Sequence, residues 1–408
     1  MVTRLWIMWL CAALFYGYQY VLRAIPSVLK SSLEESFHFD PVLFGQFAGV
    51  YFIGYTLAHI PLGLLLDRFG PRRILPFAAF LSSVGMLPLL ITDDFYYAIL
   101  GRFILGLGSS CAFIGLVKVV NIAFAPNKFH KMLSLGSVFG LVGGVFAGAP
   151  VHYLMQYFGW KSIIAISICV GISLSLVMYL VLPKSEKEDL PESTFILLKE
   201  IFQNKWVWTV AIAAGFMVGP FEGYADAWAM QSLKSIYELS DQISSQSVSL
   251  IYLGFALGLP GLSFCSDKIG LDKTIILSGV FMILSFLTII SGLAPFWLLI
   301  GSVFLLGFFS SFQVPALCRA TTFTSSKATS LTTALANTVI MFFGMFFHSI
   351  LGGCVSYFSD IMPAANGRIL STCNTLGYQK SFVIIPVMLI LGTSIFLFLN
   401  VREKNKKA

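Results

Sequence analysis

Twelve apolar runs dominate this chain: near 5–28, 42–66, 74–91, 96–122, 133–155 and 161–183 in its first half, and 206–230, 246–265, 274–293, 296–318, 329–352 and 381–400 in its second. Each approaches the roughly 20 residues that carry an α-helix across about 30 Å of hydrocarbon. Lipid offers no partner to backbone N–H and C=O groups, so runs of this kind must be helices that satisfy their own backbone. Only 11% of the 408 residues are charged against 57% hydrophobic, too few charges to clothe a soluble surface. The expected fold is an all-α membrane protein of twelve transmembrane helices.

Orientation follows from the basic residues. With both termini inside, 18 of the 26 Lys and Arg fall on the inner side and five on the outer side, Lys30, Lys161, Lys234, Arg368 and Lys380. The positive-inside rule therefore predicts cytoplasmic termini in the inner membrane. The net charge of +7 is an orientation signal, and no nucleic-acid partner is read into it. The first run is too long for a secretory leader and no small-residue cleavage site follows it, so it is read as a retained helix. Most of the seven cysteines are apolar filler; Cys354 and Cys373 share an outer loop where a disulfide is one reading and two thiols the other.

Asp67-Arg68-Phe69-Gly70 and Asp267-Lys268-Ile269-Gly270 close equivalent runs about 200 residues apart. Ser31-Ser32-Leu33 against Gln231-Ser232-Leu233, and Ser109-Ser110 against Ser310-Ser311, keep nearly the same offset. A duplicated apolar chain predicts two pseudo-symmetric six-helix bundles, 1–183 and 206–408, an architecture used mainly by secondary transporters. Between them 184–205 reads as a cytoplasmic linker: a charge run from Lys184 to Pro191, then an amphipathic stretch with Phe195, Leu198 and Phe202 opposite Lys199 and Glu200.

Gly63-Leu-Leu-Leu-Asp67-Arg68-Phe-Gly70-Pro-Arg72-Arg73 resembles the signature loop between helices 2 and 3 of the major facilitator superfamily. Arg102-Phe-Ile-Leu-Gly106-Leu-Gly108 is similar to that family's helix 4 motif. The resemblance spans essentially the whole chain and implies alternating access between two bundles. It assigns gating to Gly63, Asp67, Arg68, Gly70, Arg72, Arg73 and Arg102, and to the degenerate second copy Asp267 and Lys268, in which Ser263 replaces the first glycine and Asp272 an arginine. Physically, a carboxylate at the inner end of helix 2 that meets a guanidinium or a helix N-terminus stabilises one closed arrangement. Topological anchoring is the plainer role of the arginines.

Ionisable residues inside spans are costly and usually mark a pathway. Five occur here: Arg23, Arg102, Lys118, Glu222 and Asp226. Tyr16, Gln19, Tyr20 and Arg23 share one helix face, where a guanidinium fork beside phenols suits a carboxylate or phosphate; snorkelling to outer headgroups is the alternative. Glu222 and Asp226 lie one turn apart beside Tyr224, on a helix loosened by Gly219-Pro220 and Gly223. Two such carboxylates resist double ionisation, which suits uptake of a coupling proton; an ion pair with Arg23 is the competing explanation. Lys118, with Asn121 beside it and Arg319 as its counterpart, either lines a basic inner vestibule for anions or snorkels. Gly136, Gly140, Gly144 and Gly148 form a groove for close helix approach. Gly148-Ala149-Pro150 departs from the Gly-Pro ending of the helix 5 motif found in drug antiporters of that superfamily. His59, His152 and His348 lack metal-site spacing, no phosphate-cradling loop or nucleophile elbow occurs, and no acid, base and nucleophile converge.

The sequence thus predicts a monomeric secondary transporter without metal or cofactor, probing as substrates amino acids, short peptides or organic acids through their carboxylate, and coupled to protons. A drug or toxin exporter with an aromatic cavity, and a non-transporting sensor on the same fold, are the alternatives.

Overall fold

A computed structural model describes residues 2–125, 128–184, 193–325, 328–363, 369–372 and 374–407. The chain divides into two compact units, Met1–Phe37 with Val50–Thr194, and His38–Gly49 with Phe195–Ala408. Among the described residues ten helices are long and apolar enough to span a membrane, and Lys131–Ala147 is a shorter apolar helix. The remaining expected span is the interrupted helix over 205–237, and together they give the twelve-helix fold.

The first unit runs through α1 (Val2–Ala24), α2 (Pro26–Phe37), most of α3 (Pro41–Phe69), α4 (Pro71–Val84), α5 (Pro88–Ile91), α6 (Phe95–Ser109), α7 (Cys111–Ala123), α8 (Phe129–Ala147) and α9 (Ala149–Val181). α1 ends earlier than the hydropathy suggests because Pro26 lacks the N–H that would continue it, and Ser31-Ser32-Leu33 lies in α2, which follows it. The fifth expected run also ends early, at Ala147; its last residues open α9, which is itself two helices joined at Gly159 (φ 72°). α1 packs on α8, where Gly140 admits the Tyr16 ring and Gly17 meets Gly143. The close approach therefore uses Gly140 and Gly143.

The second unit holds the linker helix α10 (Ser193–Gln203), α11 (Lys205–Gly223), a π-turn over Tyr224–Trp228, α12 (Ala229–Tyr237), α13 (Asp241–Ile269), α14 (Leu271–Ser291), α15 (Phe296–Ser310), α16 (Gln313–Thr321), α17 (Thr329–Tyr357), α18 (Thr375–Phe382) and α19 (Ile384–Lys407). One departure from the all-helical expectation is an antiparallel hairpin of β1 (Asp360–Pro363) and β2 (Ile369–Thr372). Cys373 and most of the charge run after Lys184 lie outside the described residues; Cys354 is half-buried. On α10 Ile201 is buried while Phe202 is exposed, which shifts its apolar face by one position. The first turns of α3 belong to this unit: a Cβ on Gly45 would stand 2.5 Å from the His348 carbonyl oxygen, and Phe44 meets Trp228 edge to face at 5.3 Å.

The repeat recurs in detail. Gly70 (φ 76°) and Gly270 (φ 89°) turn the chain between α3 and α4 and between α13 and α14, in backbone conformations that side chains with a Cβ resist. The paired serines mark where one long helix breaks in each half, between α6 and α7 and between α15 and α16. There the Ser110 hydroxyl donates to the Leu107 carbonyl at 2.8 Å and Ser311 to that of Phe308 at 2.7 Å. Such back-bonds compete with the helix ladder and bend it.

Candidate substrate and coupling sites

In the first unit Arg23 is buried, with Tyr20 and Phe52 rings 5.3 and 5.2 Å from its guanidinium carbon. This enclosure by aromatic faces sets it apart from a side chain reaching for headgroups. Tyr16 stacks edge to face on Tyr20 at 5.2 Å, so the stripe expected from spacing is a physical surface. Gln19 is buried, and its Oε1 accepts a hydrogen bond from the Tyr51 hydroxyl at 2.7 Å.

Arg102 supports this surface from behind. Pro26 leaves the Leu22 carbonyl without its helical donor, and Arg102 donates Nη1–H to Leu22 O at 2.6 Å and Nη2–H to Arg23 O at 2.8 Å. Its guanidinium also lies over the Tyr51 ring at 5.2 Å. The residue holds the broken end of α1 in place. Nearby, the His59 ring stacks on Tyr55, with Nδ1 3.0 Å from Ser110 O. His348 Nδ1 lies 2.7 Å from Gly344 O, and His152 pairs with Gln156; all three histidines are engaged in local packing.

Lys118 is placed with the signature loop: its ammonium meets Asp67 Oδ1 at 2.8 Å, an ion pair half open to solvent. Arg68 lies over Phe69 and Arg72 over Tyr179; Gly63 has only Ile114 near its missing Cβ, and Arg73 is exposed. The second unit answers with a different carboxylate. Arg319 donates Nε–H to Asp272 Oδ1 at 2.7 Å and Nη1–H to Thr322 at 2.7 Å, and it is far more buried than Lys118. Asp267 and Lys268 are exposed, with Lys268 over the Phe264 ring at 4.3 Å. A cavity of about 260 Å³ opens here, lined by Gly270, Asp272, Lys273, Arg319 and Asn400 among others.

Glu222 and Asp226 are both buried, at the end of α11 and within the π-turn that follows Pro220. The Tyr252 hydroxyl of α13 donates to Asp226. Tyr224 sits elsewhere: it is fully buried, edge-on to Phe286 at 4.9 Å and to Phe382 at 5.5 Å, with Ser232 against its hydroxyl. It packs the unit's interior and is not gathered with the two acids. Sequence reading missed Tyr51, Phe52 and Tyr252. The offset of about 200 relates Tyr51 to Tyr252, and that symmetry was the available signal.

The profile of the Major Facilitator Superfamily matches residues 8–234. Among curated relatives, "Uncharacterized transporter YybO" of Bacillus subtilis is 26% identical over 53% of this chain and 53% of its own length. "Probable L-galactonate transporter" of Escherichia coli is 22% identical over 61% of this chain and 58% of its own. "Putative tartrate transporter" of Agrobacterium vitis is 24% identical over 58% and 50%. The chain thus spans about half the length of these relatives. A bacterial homologue of the human lysosomal transporter Spinster has the same fold, with a TM-score of 0.74 at 16% identity over 97% of this chain and 96% of that one.

Proposed function

The chain belongs to the major facilitator superfamily, and from that premise we propose that it is a proton-coupled carrier of small carboxylate-bearing metabolites, organic acids first among them. It is a multi-pass membrane transporter; the finer reading rests on one observation, the buried Arg23 held between Tyr20 and Phe52 with Gln19 on the same face. A guanidinium fork bonds two carboxylate oxygens at once, and the surrounding rings keep water from competing. The names of the L-galactonate and tartrate relatives agree with an acid group as cargo.

The coupling proton belongs on Asp226 or Glu222, buried carboxylates in the π-turn region of the second unit. A carboxylate that must leave water to close a transport cycle does so most cheaply as the neutral acid. Asp67 with Lys118, and Asp272 with Arg319, serve as latches at the helix ends. The protein works as a monomer in the inner membrane with both termini in the cytoplasm.

The test is uptake by the purified protein in liposomes with an inward proton gradient and a mixed pool of organic acids, amino acids and dipeptides, quantified by mass spectrometry. Accumulation of an acid that Arg23→Gln abolishes supports the reading. Undiminished accumulation in that variant, or accumulation indifferent to the gradient, counts against the carboxylate and the coupling respectively.

A further inference from the structure

We infer that Gln19 reads a hydroxyl group of the substrate, and that Tyr51 is the positioning residue that sets it to do so, which makes hydroxylated carboxylates the preferred cargo. The inference rests on the assignment of Arg23 to the substrate carboxylate.

A glutamine amide offers a carbonyl on one side and an NH2 on the other, and in isolation either can face a ligand. Here the Tyr51 hydroxyl donates to Gln19 Oε1 at 2.7 Å, the arrangement that turns the NH2 toward a ligand. With the carbonyl engaged, the group Gln19 contributes is a donor. Tyr51 in turn has little freedom. It is buried, Phe52 packs edge-on at 5.1 Å, Tyr55 lies at 6.0 Å, and the Arg102 guanidinium covers its ring at 5.2 Å. Arg102 is itself tied to the carbonyls of Leu22 and Arg23. The orientation of the amide is thus anchored to the same turn of α1 that carries Arg23.

Gln19 and Arg23 are four residues apart, so their side chains rise from one helix face about 5–6 Å apart at Cβ. A ligand whose carboxylate lies on Arg23 brings the carbons next to it toward Gln19. A hydroxyl there accepts from the amide; a methylene leaves a buried donor unpaired, and sites built for a hydrogen bond discriminate strongly against analogues that lack it. The mate of Tyr51 makes the contrast clear. Tyr252 donates its hydrogen bond to Asp226, an ionisable partner, whereas Tyr51 donates to an amide that stays neutral at every pH. A fixed, uncharged donor suits a neutral hydroxyl.

The experiment measures kcat/KM in proteoliposomes for succinate, malate and tartrate, which carry none, one and two hydroxyls on one carbon frame, and for gluconate beside 2-deoxygluconate. Wild type, Tyr51→Phe, Gln19→Met and Arg23→Gln are compared. The wild type should favour the hydroxylated member by about tenfold or more, and Tyr51→Phe and Gln19→Met should each cut that ratio by about 3–10-fold, the worth of one hydrogen bond. Because the ratio is taken within each variant, general damage to the fold cancels. A wild-type ratio near one, or a ratio unmoved in both variants, overturns the inference and leaves the Arg23 assignment standing. Uptake that survives Arg23→Gln with the ratio intact removes the carboxylate assignment and, with it, the placement that brings a hydroxyl to Gln19. Uptake of none of the five by wild type overturns both.

Discussion

The break in α1 at Pro26 makes Arg102 a substitute for a missing backbone hydrogen bond, and that substitution can be measured. In an unbroken helix the amide of residue 26 would donate to Leu22 O; proline has no proton to give. Arg102 takes over at 2.6 Å and adds a second bond to Arg23 O at 2.8 Å. Arg102→Met removes two hydrogen bonds from a charged donor to buried carbonyls at about 1.5–3 kcal/mol each, so roughly 3–6 kcal/mol should be lost. Pro26→Ala returns an N–H within reach of Leu22 O. In that background Arg102→Met should cost less by about one hydrogen bond, roughly 0.5–1.5 kcal/mol. Unfolding by sodium dodecyl sulfate in mixed micelles, followed by tryptophan fluorescence, gives all four corners of the cycle. Losses that add to within about 0.5 kcal/mol would refute the substitution argument, and a loss below about 1 kcal/mol for Arg102→Met alone would refute the clamp.

Three further outcomes are expected. Arg319→Gln or Asp272→Asn alone should lower the melting temperature in detergent more than the double variant does, because each single change strands a buried charge, at about 3–5 kcal/mol; equal losses in all three would contradict the pairing. Lys118→Gln should change stability by no more than about 1 kcal/mol, since its ion pair with Asp67 is half open to water, yet it should alter the transport rate, and the exchange Lys118→Asp with Asp67→Lys should recover part of that rate. Tyr252→Phe should reduce gradient-driven accumulation by about tenfold or more, the loss of one hydrogen bond to a buried carboxylate, while counterflow exchange is spared; equal losses in both assays would place Tyr252 outside the coupling step.

Hydropathy carried the fold because lipid leaves the backbone few options, and it failed where one residue overrides an apolar run. Pro26 splits the first helix, Gly148 and Gly159 move the boundaries of the fifth and sixth, and the π-turn at Tyr224–Trp228 interrupts the seventh. Arg23 was legible because a charge stands out in an apolar run. Tyr51 and Tyr252 were not, because a tyrosine in such a run is indistinguishable from packing until its hydroxyl is seen to have a partner. Lys118 shows a third limit. Its charge inside a span marked it out, but its partner Asp67 lies 51 positions away, and helix periodicity says nothing across that separation. Tyr224, chosen for its nearness in sequence to Glu222 and Asp226, points into the aromatic interior of its own unit.

The two ion pairs at the helix ends bear on how degenerate motifs should be judged. Position 272 carries an aspartate where the first half carries Arg72, which by pattern counts as erosion of the signature. In space that aspartate is what engages Arg319, the counterpart of Lys118, while Asp267, the residue retained by pattern, stays exposed. Each half pairs a basic residue with an aspartate, at the end of α3 in the first and at the start of α14 in the second. A degenerate string and a missing charge pair are therefore different things, and a search for the second pair in distant relatives should look for compensating charges, not for letters.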